Sequence, residues 1–85
     1  MSPEAAATDS LAELLRKSAR QDRAAFQALY DASAAKLFGV VLRILRRRDW
    51  AEEAVEDAYL RIWQRAADFR PESGTAIAWM IGVAR

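Results

Sequence analysis

Residues Ala51 to Trp63 read AEEAVEDAYLRIW, and within them Val55, Ala58, Tyr59 and Ile62 return every three or four positions. That spacing is the signature of a helix with one buried face. The opposite face carries Glu52, Glu53, Glu56 and Asp57 near its start and Arg61, Gln64 and Arg65 near its end. Asp49 followed three residues later by Glu52 has the form of a capping box, so the helix is expected to be capped at Asp49.

Upstream, Asp22 is placed to cap a much longer helix. Phe26, Leu29, Tyr30, Leu37, Val41, Ile44 and Leu45 recur there at three- and four-residue steps, which predicts a single buried stripe. Ser10 with Glu13 repeats the capping form and opens a short helix with Leu11, Leu14 and Leu15 on its apolar side, able to pack on the bundle or against a partner. The alanine-rich first eight residues are expected to fray.

Downstream, Asp68 to Gly74 reads DFRPESG, a polar stretch holding Pro71 and Gly74, and predicts a loop. Thr75 then caps a last helix, AIAWMIGVAR, which is apolar nearly all round, as befits a segment packed between neighbours or meeting a partner. No alternating strand pattern interrupts this order. The predicted fold is all-α, a compact bundle of about four helices, one of them long.

The 85 residues bound a single small domain, of a size that buries somewhat more than ~60% of the surface its unfolded chain exposes. The chain has no Cys and no His, which removes disulfides, the usual zinc ligands, a thiol nucleophile and the commonest general base at neutral pH. The acidic residues could hold a metal only with a facing set of ligands that the sequence does not offer. A non-enzymatic role without metal or cofactor is expected. No run approaches the ~18 apolar residues of a membrane span, and no signal peptide opens the chain, so the expected address is the cytoplasm, with no membrane partner.

The net charge is only +1, but the charges are segregated. Arg43, Arg46, Arg47 and Arg48 are followed at once by Asp49, Glu52, Glu53, Glu56 and Asp57. Such clusters either complement the dipoles of a helix end and a helix start or form two faces for two partners.

Taken in order, Asp22, Ala25, Phe26, Leu29 and Tyr30, then Ala51 to Trp63, Phe69-Arg70, Ala78-Trp79 and Val83-Ala84-Arg85 resemble the sigma-2 domain (region 2) of bacterial sigma factors of the extracytoplasmic-function group. The resemblance covers residues 22–85. Residues 1–21 then form an N-terminal extension, and the domain is expected to be truncated within its last helix, where the apolar period still runs at Arg85.

The resemblance implies a transcription initiation factor. Such domains dock on the clamp helices of RNA polymerase's largest subunit and recognise and melt the promoter minus-ten element. Carried over by position, polymerase binding falls to Glu53, Glu56, Asp57, Leu60 and Trp63. DNA contacts fall to Phe69, Arg70, Ser73 and Arg85, with Phe69 helping to form a pocket for a base turned out of the duplex and Arg70 holding a phosphate. An anti-sigma factor covering the same faces is a further implied partner. The chain departs from the family in having Glu56-Asp57 where an amide and an acid are common, and Ala54 where a large aliphatic is common.

The residues also admit a helical protein-interaction adaptor with an acidic binding face. A helix-turn-helix regulator fragment is the other alternative, with Arg43 to Arg48 on phosphates, although the tight Gly-containing turn and polar recognition helix of that motif are missing.

Overall fold

The computed structural model describes residues 3–85, with side chains from Ser10 onward. Four helices follow one another: α1 Pro3–Ala19, α2 Arg23–Leu45, α3 Arg48–Arg65 and α4 Ala76–Ala84. Two short 3-10 turns follow α3: Ala66–Asp68, which ends where the predicted loop begins, and Pro71–Ser73, which lies within it.

α1 is longer than the capping signal implied. Ser10 lies inside it rather than at its start, and Glu13 pairs with Arg16 at 3.4 Å on the surface. The expected fraying of the first eight residues falls partly outside the described residues; from Pro3 on, the backbone is helical. Alanine is the strongest helix former and proline is tolerated in a first turn, so the segment extends the helix beyond its apparent cap. α1 packs on the bundle: Leu15 is fully buried, with Leu11 and Leu14 partly covered beside it.

A tight turn follows. Gln21 adopts a left-handed conformation (φ 68°), and the amides of Arg20, Gln21 and Asp22 bond back to Lys17 and Ser18 carbonyls. Asp22 then caps α2 as predicted, its Oδ1 accepting the Ala25 amide at 3.0 Å. α2 ends at Arg46, left-handed at φ 61°, whose amide reaches the Leu42 carbonyl. Only Arg46 and Arg47 separate α2 from α3.

That short connection displaces the predicted cap at Asp49. Arg47 is the N-cap residue, with extended backbone and no side-chain cap bond, and Asp49 falls in the first turn of α3. Its carboxylate accepts from Arg47 Nε (3.2 Å) and Nη2 (2.9 Å) instead. Thr75 caps α4 as expected, accepting the Ala78 amide at 3.2 Å.

The buried row of α2 is Ala25, Leu29, Ser33, Leu37 and Val41, a strict four-residue step. Of the predicted stripe, Leu29, Leu37 and Val41 belong to it, Phe26 and Leu45 are half-buried beside it, and Tyr30 (40% exposed) and Ile44 (58%) are exposed. A four-residue row drifts around the helix, leaving Tyr30 on a shoulder, while Ile44 lies in the last turn, near the end of the bundle. Ser33 belongs to the row because its hydroxyl is satisfied. It donates to the Leu29 carbonyl and shares a 2.6 Å hydrogen bond with the Tyr59 hydroxyl, tying α2 to α3. The α3 stripe is as read: Val55, Ala58, Tyr59 and Ile62 are all buried, with Ala51.

α4 covers α3 with Ala76 and Met80 fully buried, while Ile77, Trp79, Ile81 and Val83 are half covered. The Cα radius of gyration is 12.4 Å, close to the ~12 Å of a closely packed chain of this length.

Candidate protein-binding groove and loop pocket

α2 and α3 pack with an aromatic ladder along one edge. Trp63 meets Phe26 edge-on at 5.0 Å, Phe26 meets Tyr59 at 6.2 Å, and Tyr59 meets Tyr30 at 4.7 Å. Such edge-to-face pairs add specific geometry to the burial of the rings. Burial pushes the Tyr59 phenol above its ordinary pKa; the Ser33 hydrogen bond opposes that rise and the neighbouring Tyr30 adds to it.

The ladder floors two open grooves of about 350 Å³ each. In the first, α2 supplies Arg23, Phe26 and Gln27, and α3 supplies Glu56, Tyr59, Leu60 and Trp63. In the second, Tyr30, Ala34, Ala35 and Phe38 face Arg48, Glu52, Val55 and Glu56. Arg48 lies 5.5 Å from the Phe38 ring centre and 3.5 Å from Glu52. Glu56 borders both grooves. Leu60, 63% exposed, is the most exposed large apolar side chain among the described residues.

Of the five residues assigned to protein binding from sequence, the structure brings Glu56, Leu60 and Trp63 together in one groove. Glu53 and Asp57 are exposed but line neither groove. The helical period explains the division. At about 100° per residue, Trp63 lies within about 20° of Glu56 and Leu60 within about 40°, whereas Asp57 stands about 100° away.

Sequence reading missed the α2 half of the groove, having assigned Phe26 and Tyr30 to the core. The signal was present, since Arg23, Phe26, Gln27 and Tyr30 stand at i, i+3, i+4 and i+7 and share one face.

The second site is the loop. Phe69 is 8% exposed, inserted below the turn and edge-on to Trp79 at 5.9 Å. It both plugs the core and lines a pocket of about 210 Å³ with Arg70, Ser73, Gly74, Thr75, Ala78 and Trp79. Arg70 Nη1 donates to the Ala67 carbonyl (2.9 Å) and the Phe69 carbonyl (3.3 Å), so the guanidinium is held against the loop backbone. The amides of Ser73 and Gly74 bond to Arg70 and Pro71 carbonyls, and Gly74 takes φ 147°, a value that side-chain-bearing residues rarely adopt.

Phe69, Arg70 and Ser73 therefore share one pocket, and Arg85 does not join them. It lies at the other end of α4, in a separate groove with Val41, Ile44, Leu45, Ala54 and Ala84. The nine residues of α4 set the two apart by roughly 13 Å.

Among the described residues, no group of three or more His, Cys, Asp or Glu side chains is placed to hold a metal ion, and no helix is long and apolar enough to cross a membrane.

The chain has relatives by sequence. The model of the Sigma-70 region 2 family matches residues 29–85. Similar curated proteins include the ECF RNA polymerase sigma factor SigK of Mycolicibacterium vanbaalenii, 39% identical over 77 residues, covering 91% of this chain and 39% of that protein. The protein of the same name from Mycobacterium tuberculosis is 36% identical over 77 residues, covering 91% of this chain and 41% of its own length. The chain belongs to the sigma-70 region 2 family. It spans about two-fifths of the length of these curated relatives.

Proposed function

We propose that this chain is the part of an extracytoplasmic-function sigma factor that docks on RNA polymerase core and helps to open and read the promoter minus-ten element. The observation that carries the docking half is the α2–α3 groove, where exposed Leu60 stands between Glu56 and Trp63 over an aromatic floor. A groove with one exposed aliphatic anchor, large aromatics and a charged rim suits an exposed helical hairpin such as the clamp helices of the polymerase's largest subunit.

The opening half rests on the loop pocket. Extruding a base from a duplex costs a few kcal/mol, and stacking on an aromatic recovers about 1–3 kcal/mol per base. Phe69 and Trp79 supply the aromatic walls, Ser73 and Thr75 a polar mouth. Arg70 acts first as a brace for that pocket, through its two carbonyl bonds. The role is non-enzymatic and, as for any factor acting on RNA polymerase, exercised in the cytoplasm. An anti-sigma factor would silence it by covering the groove.

The deciding experiment is binding of this chain to a purified peptide hairpin of the clamp helices, compared with a variant reversed in charge at Glu56 and Asp57. Saturable binding that is lost in a folded variant supports the reading. Absence of binding by folded wild type refutes it and favours an adaptor with another partner.

A further inference from the structure

The flank of α3 turned away from the α2–α3 groove carries two arginines that neither site uses. Arg61 and Arg65 are exposed and stand four residues apart, so their side chains share a face. Ala54 marks where that face points, because at about 100° per residue both arginines lie within about 20° of its line along the helix. Ala54 lines a groove with Val41, Ile44 and Leu45 from the end of α2 and with Ala84 and Arg85, so this flank meets the C-terminal end of α4. Arg65 is also the last residue of α3, followed directly by the turn that leads into Phe69.

Like charges at this spacing repel by a few tenths of a kcal/mol. Neither arginine is within ion-pair distance of a carboxylate among the described residues, although Asp57 precedes Arg61 by one turn and Asp68 and Glu72 lie in the loop. Arg65, in the last turn, complements the helix dipole. Arg61, a turn earlier, has no such local reason.

We infer that Arg61 and Arg65 form a phosphate-contacting strip, the nucleic-acid side of α3, on which the backbone of a DNA strand lies when one of its bases enters the loop pocket. The inference rests on the DNA-opening reading of that pocket and extends it. The protein groove and the nucleic-acid strip then occupy opposite flanks of one helix, so both partners bind at once.

The test is an NMR titration of the isotope-labelled chain with a single-stranded DNA oligonucleotide at two salt concentrations. If each arginine neutralises one phosphate, replacing both with glutamine lowers the slope of log affinity against log salt by about 1.4. Over a fourfold rise in salt the wild type then loses about sevenfold more affinity than Arg61→Gln/Arg65→Gln. Wild-type amide shifts are expected along Arg61–Arg65 and the loop, and Arg61→Lys/Arg65→Lys keeps the wild-type slope. A glutamine variant with wild-type affinity and slope overturns the strip, as does a lysine variant that behaves like glutamine. Phe69→Leu separates the two readings: reduced affinity at unchanged slope upholds the loop pocket even if the strip fails. Wild type that binds no DNA at the lower salt overturns both.

Discussion

Replacing Leu60 with alanine separates the docking role proposed for it from a folding role on the same helix. Leu60 is 63% exposed, so most of its apolar surface remains for a partner to cover. Full burial of a leucine side chain is worth about 1.5–3 kcal/mol, and the exposed share puts about 0.9–1.9 kcal/mol at stake on docking. That corresponds to about a five- to twenty-five-fold loss of affinity. Alanine keeps the Cβ, so the expected loss lies toward the lower end, near fivefold.

The fold should barely respond, because an exposed substitution normally changes stability by no more than about 0.5 kcal/mol. Ile62, two residues on and fully buried, supplies the contrast, with an expected cost of about 2–5 kcal/mol for Ile62→Ala. The assays are thermal melts of both variants and fluorescence anisotropy with a labelled clamp-helix hairpin. Unchanged hairpin affinity in Leu60→Ala would refute the docking role. A melting temperature lowered as far as that of Ile62→Ala would refute the placement of Leu60 outside the core.

Single charge reversals divide the acidic cluster: Glu56→Arg, adding positive charge beside Arg23 and Arg48, should weaken hairpin binding about tenfold at low salt, and Asp57→Arg, outside both grooves, about threefold or less. Equal effects would show that the partner spans the outer face. Phe69→Ala should cost about 3–5 kcal/mol because the ring is buried, so Phe69→Leu is the informative change; it should keep the fold and hairpin affinity while impairing promoter opening by the full-length factor. Tyr59 has a folded pKa raised above its unfolded value, so its contribution is complete below about pH 10 and is lost as pH rises through the folded pKa. Alkaline urea titrations should therefore show a steeper fall in stability for wild type than for Tyr59→Phe, and identical curves would exclude the effect. Thr75→Ala removes the α4 cap and should lower stability by about 1 kcal/mol, some 4–8 °C in melting temperature.

The helices were legible because their buried faces repeat. Val55, Ala58, Tyr59 and Ile62 give α3 away, and the caps at Asp22 and Thr75 hold because each is followed by an amide its side chain reaches. The capping form failed at Ser10 and Asp49 for a shared reason: a cap signal states only that a helix can start there. At Ser10, alanines upstream continue the helix; at Asp49, the two-residue connection from Leu45 starts α3 before the aspartate. Ser33 was invisible as a core residue because its burial depends on the Tyr59 hydroxyl 26 positions away.

The candidate sites were half legible for a related reason. Periodicity sorts residues into inward and outward, but a helix packed on two sides has two outward flanks, and their separation appears only once the neighbours are in place. On α3 the neighbour at one flank is α2, whose Arg23, Phe26 and Gln27 turn Glu56, Leu60 and Trp63 into a groove. The other flank meets the C-terminal end of α4 and carries Arg61 and Arg65, with Arg65 leading into the loop. The acidic cluster that reads as one surface in sequence is thereby divided: Glu56 joins the groove, and Glu53 and Asp57 remain on the ridge between the flanks. A partner gripping only the groove would tolerate reversal of Glu53, whereas one wrapping over the ridge would not. Hairpin affinity of Glu53→Arg thus measures how far around α3 the bound partner extends, with a loss matching that of Glu56→Arg refuting confinement to the groove.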